Sequence, residues 1–333
     1  MTTALVSKPF IAAFGDALKA EAARSGTTVE FMTLPEEKGA RIAKADYDRI
    51  DCAFLDRDMR FEEQLMDAFN DALVASKTCN WLHVASSGMN PTPFAEAVLA
   101  RGGTITTSTG SNAEPVAQTG FTGLLLLARG FTTYIAGQQK KEWKPLRGAQ
   151  LPDDLRGQTL VLIGVGAIGK TLAGYAKAFG LKVIGVRRSP MQAGDPVDEM
   201  VHPSKLKEVL PRADWLVIAC PLTSETRNLV DAEAFRTIKK GAGLVNIGRG
   251  EVMDEQAFVE AIRSGHLRGA HLDAHQQEPL PKDSPMWSLP NVIVTPHNAS
   301  ASNGNEPRSA RIFIDNFGRR ARGEPLVNIG AFE

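Results

Sequence analysis

The glycine-rich segment at residues 159–189 constrains the fold of this 333-residue chain more than any other segment. Its first five residues, TLVLI, are an apolar run of the length typical of a buried strand. Gly164, Gly166 and Gly169 follow with the spacing G-x-G-x-x-G, and an apolar pattern of helical period comes next. A second apolar run at 181–186 completes a strand–turn–helix–strand unit, which is the arrangement that binds a dinucleotide.

Each glycine has a separate physical role in such a turn. Gly164 permits the tight turn, Gly166 lets the backbone approach a pyrophosphate, and Gly169 lets the helix pack close to the strand. The helix N-terminus, at Ala167 and Ile168, presents free N–H groups and the positive end of the helix dipole. These five residues are therefore predicted to bind the phosphates of a cofactor.

Two arginines and a serine follow the second strand of this unit. Folds that bind NAD usually place an acidic residue about 20 residues after the glycines, where it accepts from the ribose 2′-hydroxyl. Arg187, Arg188 and Ser189 occupy that place. A carboxylate would repel a 2′-phosphate, whereas guanidinium groups and a hydroxyl would bind it. The sequence predicts NADP(H) in preference to NAD(H); the alternative is a solvated basic loop.

The composition argues against several classes of partner. Because 38 Lys and Arg balance 38 Asp and Glu, there is no net basic field for nucleic acid or a membrane surface. No uncharged apolar stretch is long enough to cross a bilayer, and Lys8 and Asp16 interrupt the apolar run that a signal peptide would need. Cys52, Cys79 and Cys220 lack disulfide or metal spacing, so we expect a cytoplasmic protein without a metal.

Strand and helix signals alternate on both sides of the glycine turn, which favours a parallel α/β architecture. The first hundred residues carry no glycine fingerprint and are expected to form a domain that does not bind the cofactor. Its strands are predicted at 4–7, 28–32, 51–55, 81–85 and 104–107, with helices at 61–75 and 93–100. Later strands are predicted at 160–163, 181–186, 215–219, 244–247, 269–274 and 292–295, with helices at 115–129, 205–210, 232–239 and 254–264. Six strands is the count of a doubly wound dinucleotide domain, which binds ligands at the carboxyl ends of its strands.

Ser86, Ser87 and Gly88 follow a predicted strand of the first domain. Small residues at a strand end expose backbone N–H groups, which can form an anion-binding nest. From spacing alone, a surface turn is the more common outcome.

Arg249, Glu278 and His297 each follow a predicted strand of the later domain, where they could converge beside the cofactor. Taken singly, each has a structural interpretation; taken together beside a cofactor fold, they favour a catalytic site. His271 and His275 are four residues apart, but they flank a strand end rather than lie on a helix. We therefore do not expect them to bind a metal.

In this order, these motifs resemble the D-isomer-specific 2-hydroxyacid dehydrogenases, which include glyoxylate and hydroxypyruvate reductases, phosphoglycerate dehydrogenase and formate dehydrogenase. The resemblance covers nearly the whole chain. It rests on the glycine turn, PLTSET from Pro221, NIGRG, LD…EPLP, TPH and the C-terminal pattern FIDNFGRRARGEPLVN. It implies a homodimeric oxidoreductase of small 2-keto or D-2-hydroxy acids, of the glyoxylate or hydroxypyruvate reductase type. Arg187, Arg188 and Ser189 add the expectation that the enzyme depends on NADP(H).

The resemblance also implies a role for each matching residue. His297 would deliver a proton to the substrate oxygen, Glu278 would orient its imidazole, and Arg249 would clamp the substrate carboxylate. The substrate-carboxylate loop falls on Ser86, Ser87 and Gly88, with Arg249 and His297 as further substrate-binding residues. The aspartate for the nicotinamide carboxamide falls on Asp273. Further cofactor contacts are implied at Cys220, Pro221, Thr226, Ile247, Gly248, Arg249 and His297.

The family fold implies a Rossmann cofactor domain at 116–299 and a flavodoxin-like α/β substrate domain that is discontinuous, at 1–115 and 300–333. The active site would lie in the cleft between them. Asn90 stands where the family pattern usually has an acidic residue, and the HQQ turn at 275–277 replaces a more usual aromatic and acid. Both departures affect the expected identity of the substrate more than the expected type of reaction.

Two other functional classes compete with this interpretation. A cofactor-sensing corepressor of the same fold would usually carry added tails or a peptide groove, and this chain keeps Arg249, Glu278 and His297. A methyltransferase with a nucleoside cofactor would need an acid at the second strand end, where Arg187 stands instead.

Overall fold

The computed structural model describes residues 1–37 and 39–330, without the side chains of Phe61 and Ala149. The chain forms two compact units. Unit 1 is Met1–Ser111 with Ser302–Glu333, and unit 2 is Asn112–Ala301. The last three residues of the segment predicted at 300–333 lie outside the described residues.

Short parallel strands alternate with helices along the chain. The strands are β1 (Thr2–Leu5), β2 (Val29–Met32), β3 (Cys52–Leu55), β4 (Trp81–Val84), β5 (Thr104–Thr107), β6 (Thr159–Ile163), β7 (Lys182–Val186), β8 (Glu199–Val201), β9 (Trp215–Ile218), β10 (Ala242–Asn246), β11 (Leu267–Leu272) and β12 (Val292–Val294). The α-helices are α1 (Lys8–Arg24), α2 (Arg57–Phe61), α3 (Glu63–Ala75), α4 (Pro93–Ala100), α5 (Ala113–Ala128), α6 (Phe131–Gln139), α7 (Ala167–Ala178), α8 (Leu206–Val209), α9 (Ala232–Thr237), α10 (Glu255–Arg263) and α11 (Asn305–Ala321).

Unit 1 is built on a five-stranded parallel sheet with the order β2-β1-β3-β4-β5, which is the flavodoxin-like order. Helix α11 returns from the end of the chain and packs its Phe313 ring on this sheet. The Phe313 ring stacks on Phe54 at 4.9 Å and on Trp81 at 5.1 Å between centroids. Both ends of the chain thus contribute to one apolar core, as a discontinuous unit requires.

Unit 2 is built on a seven-stranded parallel sheet with the order β12-β11-β10-β9-β6-β7-β8. This order confirms the predicted doubly wound α/β fold, because the direction of winding reverses between β6 and β9. The predicted count of six strands was wrong. The additional strand, β8, has only three residues, and all three are half-buried. It therefore lacks the continuous apolar run that identified the other strands.

The helix boundaries follow local chemistry. The Asp254 side chain accepts a hydrogen bond from Ala257 N–H and caps α10, as its position predicts. Gly180 and Gly265 adopt positive φ angles of 81° and 69° just after α7 and α10, a conformation that glycine adopts without strain. The helix predicted at 61–75 is divided, because Glu62 is extended between α2 and α3. Across residues 1–37 and 39–330, no helix is both long and apolar enough to span a bilayer.

Candidate active site

The glycine turn between β6 and α7 has the geometry of a phosphate cradle. Gly164 has a φ of 98°, and a Cβ there would lie 2.7 Å from Cys220 N. A Cβ on Gly169 would lie 2.0 Å from Gly164 O, so only glycine lets α7 approach the turn. A Cβ on Gly166 would meet no atom within 4 Å. Gly166 therefore faces open space at the helix N-terminus, where a pyrophosphate can approach the backbone.

The two arginines after β7 are held differently. The Arg187 guanidinium forms an ion pair with the Asp195 carboxylate at 2.8 Å and is only 17% exposed. The Arg188 side chain is 73% exposed and lies 3.3 Å from Glu225 on the surface. Ser189 is exposed beside it, and its carbonyl accepts from Arg187 Nε at 3.3 Å.

The loops after β9 and β10 lie against each other and against the glycine turn. A Cβ on Gly248 would lie 2.8 Å from Cys220 O, and burial raises the pKa of the Cys220 thiol to about 11. Thr226 donates through Oγ1 to Pro221 O at 2.7 Å and closes the PLTSET turn. The Ile247 side chain belongs to the apolar core, with 6% exposure.

A buried asparagine shapes the turn that carries Arg249. Asn246, at the end of β10, accepts from Gly248 N–H at 3.0 Å and donates to Arg249 O at 3.0 Å. Arg249 is exposed, and its Nη1 donates to Gly248 O at 2.8 Å. A Cβ on Gly250 would lie 2.0 Å from His275 C, so the Arg249 turn packs directly on the chain that leads to Glu278.

His297 and Glu278 are hydrogen-bonded to each other. Nδ1 of His297 lies 2.7 Å from Oε2 of Glu278, and both side chains remain more than one-third exposed. The other oxygen, Oε1, accepts from His275 N–H at 2.9 Å. Burial acts to raise the pKa of Glu278, but the hydrogen bonds from His275 and His297 outweigh it and hold the pKa below its usual range. The carboxylate is therefore ionised and fixed through both oxygens.

Asp273 ties the chain after β12 to the end of β11. Its carboxylate is 2% exposed and accepts from Thr295 Oγ1 at 2.6 Å, Asn298 N–H at 3.0 Å and Ala299 N–H at 3.0 Å. These bonds enclose His297, which has a φ of 50°. The structure thus gives Asp273 a part in positioning the histidine.

His275 and His271 also converge on Thr295, the first residue of the TPH motif, to which the sequence assigned no role. His275 Nε2 donates to Thr295 O at 2.9 Å, and His271 Nε2 lies 3.1 Å from Thr295 Oγ1. Burial lowers the pKa of His271. Within the described part of the chain, no three His, Cys, Asp or Glu side chains converge to hold a metal ion.

The loop at Ser86, Ser87 and Gly88 belongs to unit 1 and is fixed by the segment after β5. Ser108 N–H donates to Ser86 O at 2.8 Å, and Thr109 Oγ1 donates to Ser87 O at 2.9 Å. The Ser86 hydroxyl donates to Gly88 O at 2.6 Å. Ser87 and Gly88 are exposed, and a Cβ on Gly88 would meet no atom within 4 Å. The loop is therefore held by its carbonyls and presents an open face at Gly88.

Three of the predicted site residues follow adjacent strands of unit 2. Arg249, Glu278 and His297 come after β10, β11 and β12, which are neighbours in the sheet and all parallel. An arginine and an ionised carboxylate–histidine pair therefore share the carboxyl edge of a doubly wound sheet with a glycine turn. This combination is typical of a dinucleotide-dependent oxidoreductase.

Comparison with known proteins identifies the family. The model of the D-isomer specific 2-hydroxyacid dehydrogenase NAD-binding domain matches residues 121–299. The chain belongs to the D-isomer-specific 2-hydroxyacid dehydrogenases.

Individual relatives carry different names at similar identity. The chain is 34% identical to a glyoxylate reductase of Korarchaeum cryptofilum over 69% of each chain. It is 35% identical to a formate dehydrogenase of Arabidopsis thaliana, over 69% of this chain and 60% of the relative. The structure of a D-isomer specific 2-hydroxyacid dehydrogenase from Xanthobacter autotrophicus, in complex with NADPH and MES, covers 99% of this chain and 98% of its own with a TM-score of 0.70 and 25% identity.

Proposed function

We propose that this protein is an NADP(H)-dependent reductase that converts small 2-keto acids into D-2-hydroxy acids. The observation that carries the proposal is the 2.7 Å hydrogen bond between His297 and Glu278, at the sheet edge that also carries Arg249. Glyoxylate or hydroxypyruvate is the proposed substrate type, with support from the glyoxylate reductase relative.

The residues of unit 2 fit a nicotinamide dinucleotide. Open space at Gly166 and the N-terminus of α7 suit the pyrophosphate, and exposed Arg188 and Ser189 suit a 2′-phosphate. Once bound, the nicotinamide supplies or accepts the hydride. The open space at Gly166 supports the assignment of a dinucleotide to unit 2, because the pyrophosphate must approach the backbone at this glycine.

His297 is proposed as the acid of the reduction. Its Nδ1 is occupied by Glu278, so Nε2 is the ring atom that can hold a proton against the substrate carbonyl oxygen. Negative charge develops on that oxygen during reduction, and a proton from Nε2 neutralises it. The ionised Glu278 keeps the ring oriented and stabilises its charged form.

Arg249 and the Ser86–Gly88 loop are proposed to bind the substrate carboxylate. A planar guanidinium binds a carboxylate through two parallel hydrogen bonds, which also fixes the position of the neighbouring carbonyl. The exposed backbone at Ser87 and Gly88 offers N–H groups for the remaining oxygen. Unit 1 is accordingly proposed as the substrate domain and unit 2 as the cofactor domain.

We also propose a cytoplasmic homodimer. Cys52, Cys79 and Cys220 are buried free thiols, the state that a reducing compartment maintains. Helix α5 does not offer an exposed apolar face at Phe121 and Leu124, because both side chains are buried in the core of unit 2. The exposed apolar side chains on and after α6 are better candidates, namely Phe131, Tyr134, Ile135, Trp143 and Leu151. Sedimentation of the wild type and of Tyr134→Glu tests this assignment.

The proposed activity is tested by following oxidation of NADPH and NADH with a panel of 2-keto acids. We expect turnover of glyoxylate or hydroxypyruvate, faster with NADPH, and a large loss of kcat in His297→Gln. The exposed His202 provides the matched control, because His202→Gln should keep full activity. Absence of turnover with every keto acid and both cofactors would refute the proposal, and stoichiometric capture of a transcription factor by an inactive protein would favour the corepressor alternative.

A further inference from the structure

A cluster of ion pairs around the buried carboxylate of Asp195 lies between the glycine turn and the loop after β7. The Asp195 side chain is inaccessible to solvent and pairs with Lys170 at 2.9 Å and with Arg187 at 2.8 Å. Its Oδ2 also accepts from Gln192 N–H at 2.8 Å. Lys170 lies in the first turn of α7, directly after the third glycine of the fingerprint. The cluster therefore joins the cofactor helix to the loop that follows the second strand.

Arg187 is engaged on several sides within this cluster. Besides Asp195, its guanidinium donates from Nη1 to Val165 O at 3.2 Å and from Nη2 to Pro190 O at 2.6 Å. Its Nε donates to Ser189 O at 3.3 Å. Val165 lies inside the glycine turn, between Gly164 and Gly166. Arg187 thus connects the turn that faces the pyrophosphate with the loop that faces the ribose.

Arg188 has the opposite character. Its side chain is mostly exposed, and its ion pair is with Glu225, which is 66% exposed. An exposed pair of this kind contributes little free energy, so a phosphate dianion can replace Glu225 as the partner of Arg188 at small cost. The charge of Arg187, by contrast, is balanced by a carboxylate that solvent cannot reach, and loss of that partner would leave a poorly compensated cation.

We propose that the two arginines have different functions: Asp195 holds Arg187 as a clamp on the glycine turn, and of the two arginines only Arg188 contacts the 2′-phosphate. Asp195 and Lys170 are then positioning residues for the cofactor. The inference rests on the proposed use of NADP(H). It changes the prediction from sequence, in which Arg187 and Arg188 bind the phosphate together.

The clamp and the phosphate contact make different predictions for the two cofactors. The glycine turn faces the pyrophosphate, which NADPH and NADH share. Loss of the clamp therefore weakens the binding of both cofactors by a similar factor. The 2′-phosphate exists only in NADPH, so loss of its ligand weakens NADPH alone.

The test is fluorescence titration of the full chain with NADPH and with NADH, for Arg187→Ala, Asp195→Asn, Arg188→Ala and the control Arg236→Ala on the exposed face of α9. We expect Arg188→Ala to raise the Kd of NADPH about tenfold with little effect on NADH. Arg187→Ala and Asp195→Asn should raise the Kd of both cofactors by about the same factor. The double variant Arg187→Ala/Asp195→Asn should be no weaker than Arg187→Ala, because the two residues act through one contact.

Several outcomes would overturn the inference. Selective loss of NADPH binding in Arg187→Ala would show that Arg187 is a ligand of the 2′-phosphate. Unchanged binding of both cofactors in Arg187→Ala and in Asp195→Asn would show that these residues do not position the glycine turn. If Asp195→Asn does not fold, Lys170→Met takes its place, because it removes the other cation that pairs with Asp195. Lys170→Met should also weaken the binding of both cofactors. If the wild type binds NADH more tightly than NADPH and Arg188→Ala changes neither, the NADP(H) proposal itself fails.

Discussion

Glu278 accepts a hydrogen bond from His297 Nδ1 at 2.7 Å through one carboxylate oxygen and from His275 N–H at 2.9 Å through the other. Because both oxygens are bonded, the carboxylate has one orientation, and so has the imidazole that it holds. The His275 backbone thereby acts on the proposed acid through Glu278. His297 Nε2 is the ring atom left for the substrate.

Replacement of Glu278 by Gln should lower kcat without weakening the cofactor. The amide keeps the shape of the side chain but lacks the negative charge that stabilises a protonated imidazole. We expect kcat to fall by about 10²-fold, the lower end of what general acid–base catalysis contributes. Steady-state kinetics with saturating NADPH measure the change. Glu260→Gln, on the exposed face of α10, is the control. An unchanged kcat in Glu278→Gln would show that Glu278 does not assist the chemical step.

Arg249→Lys should raise the KM of the keto acid while the Kd of NADPH stays near that of the wild type. Lysine keeps the charge but cannot form the two parallel hydrogen bonds of a guanidinium. We expect KM to rise by about 10- to 100-fold, the equivalent of one or two lost charge-assisted hydrogen bonds. Arg236→Lys is the matched control. Equal KM values for Arg249→Lys and the wild type would assign carboxylate binding to another group.

Strand ends could be predicted from the sequence because parallel strands place their carboxyl ends at one edge. Apolar runs at 244–247, 269–274 and 292–295 identified β10, β11 and β12 to within two residues. The hydrogen bond between Glu278 and His297 agrees with the roles that the family resemblance implied for these two residues. Strand β8 could not be predicted in this way, because its three half-buried residues include Glu199 and form no apolar run.

Side-chain partners from distant elements could not be predicted in this way. Nothing local distinguishes Arg187 from Arg188, and the difference arises because Asp195 lies against one of them and Glu225 against the other. The same holds for Asp273, whose three hydrogen bonds reach 22 to 26 residues along the chain. Such contacts depend on the packing of loops from separate strands.

Three glycines of one segment should respond differently to alanine. In Gly169→Ala the Cβ would lie 2.0 Å from Gly164 O, so Tm should fall and both cofactors should bind weakly. In Gly166→Ala the Cβ meets no protein atom, so Tm should hold while cofactor binding is lost. Gly174→Ala, in the middle of α7 with no atom within 4 Å of its Cβ, is the control. It should bind cofactor normally and gain about 0.5–1 kcal/mol of stability.

Thermal unfolding and NADPH titration of all three variants measure these effects. Tight NADPH binding by a folded Gly166→Ala protein would contradict the assignment of open space at Gly166 to the pyrophosphate.

The stability of unit 1 should fall in acid because of His83. This side chain is inaccessible to solvent and hydrogen-bonds to Thr106 and Ser108, and burial lowers its pKa to about 3. In the unfolded chain His83 has an ordinary pKa of about 6.5. Between about pH 6.5 and pH 3, His83 is therefore protonated in the unfolded chain and neutral in the folded chain. The stability is therefore complete above about pH 6.5 and is lost progressively as the pH falls toward 3, by about 1.4 kcal/mol between pH 7.5 and pH 5.5.

Urea unfolding of the wild type and of His83→Gln at these two pH values isolates the contribution of His83. Glutamine can keep hydrogen bonds to Thr106 and Ser108 but does not titrate. We expect the wild type to lose about 1.4 kcal/mol more than the variant on acidification, whatever the variant's stability at neutral pH. His271, whose pKa burial also lowers, is present in both proteins and cancels in the difference. Equal losses in the two proteins would mean that His83 accepts a proton in the folded state, which the apolar rings of Phe54 and Phe313 beside it oppose.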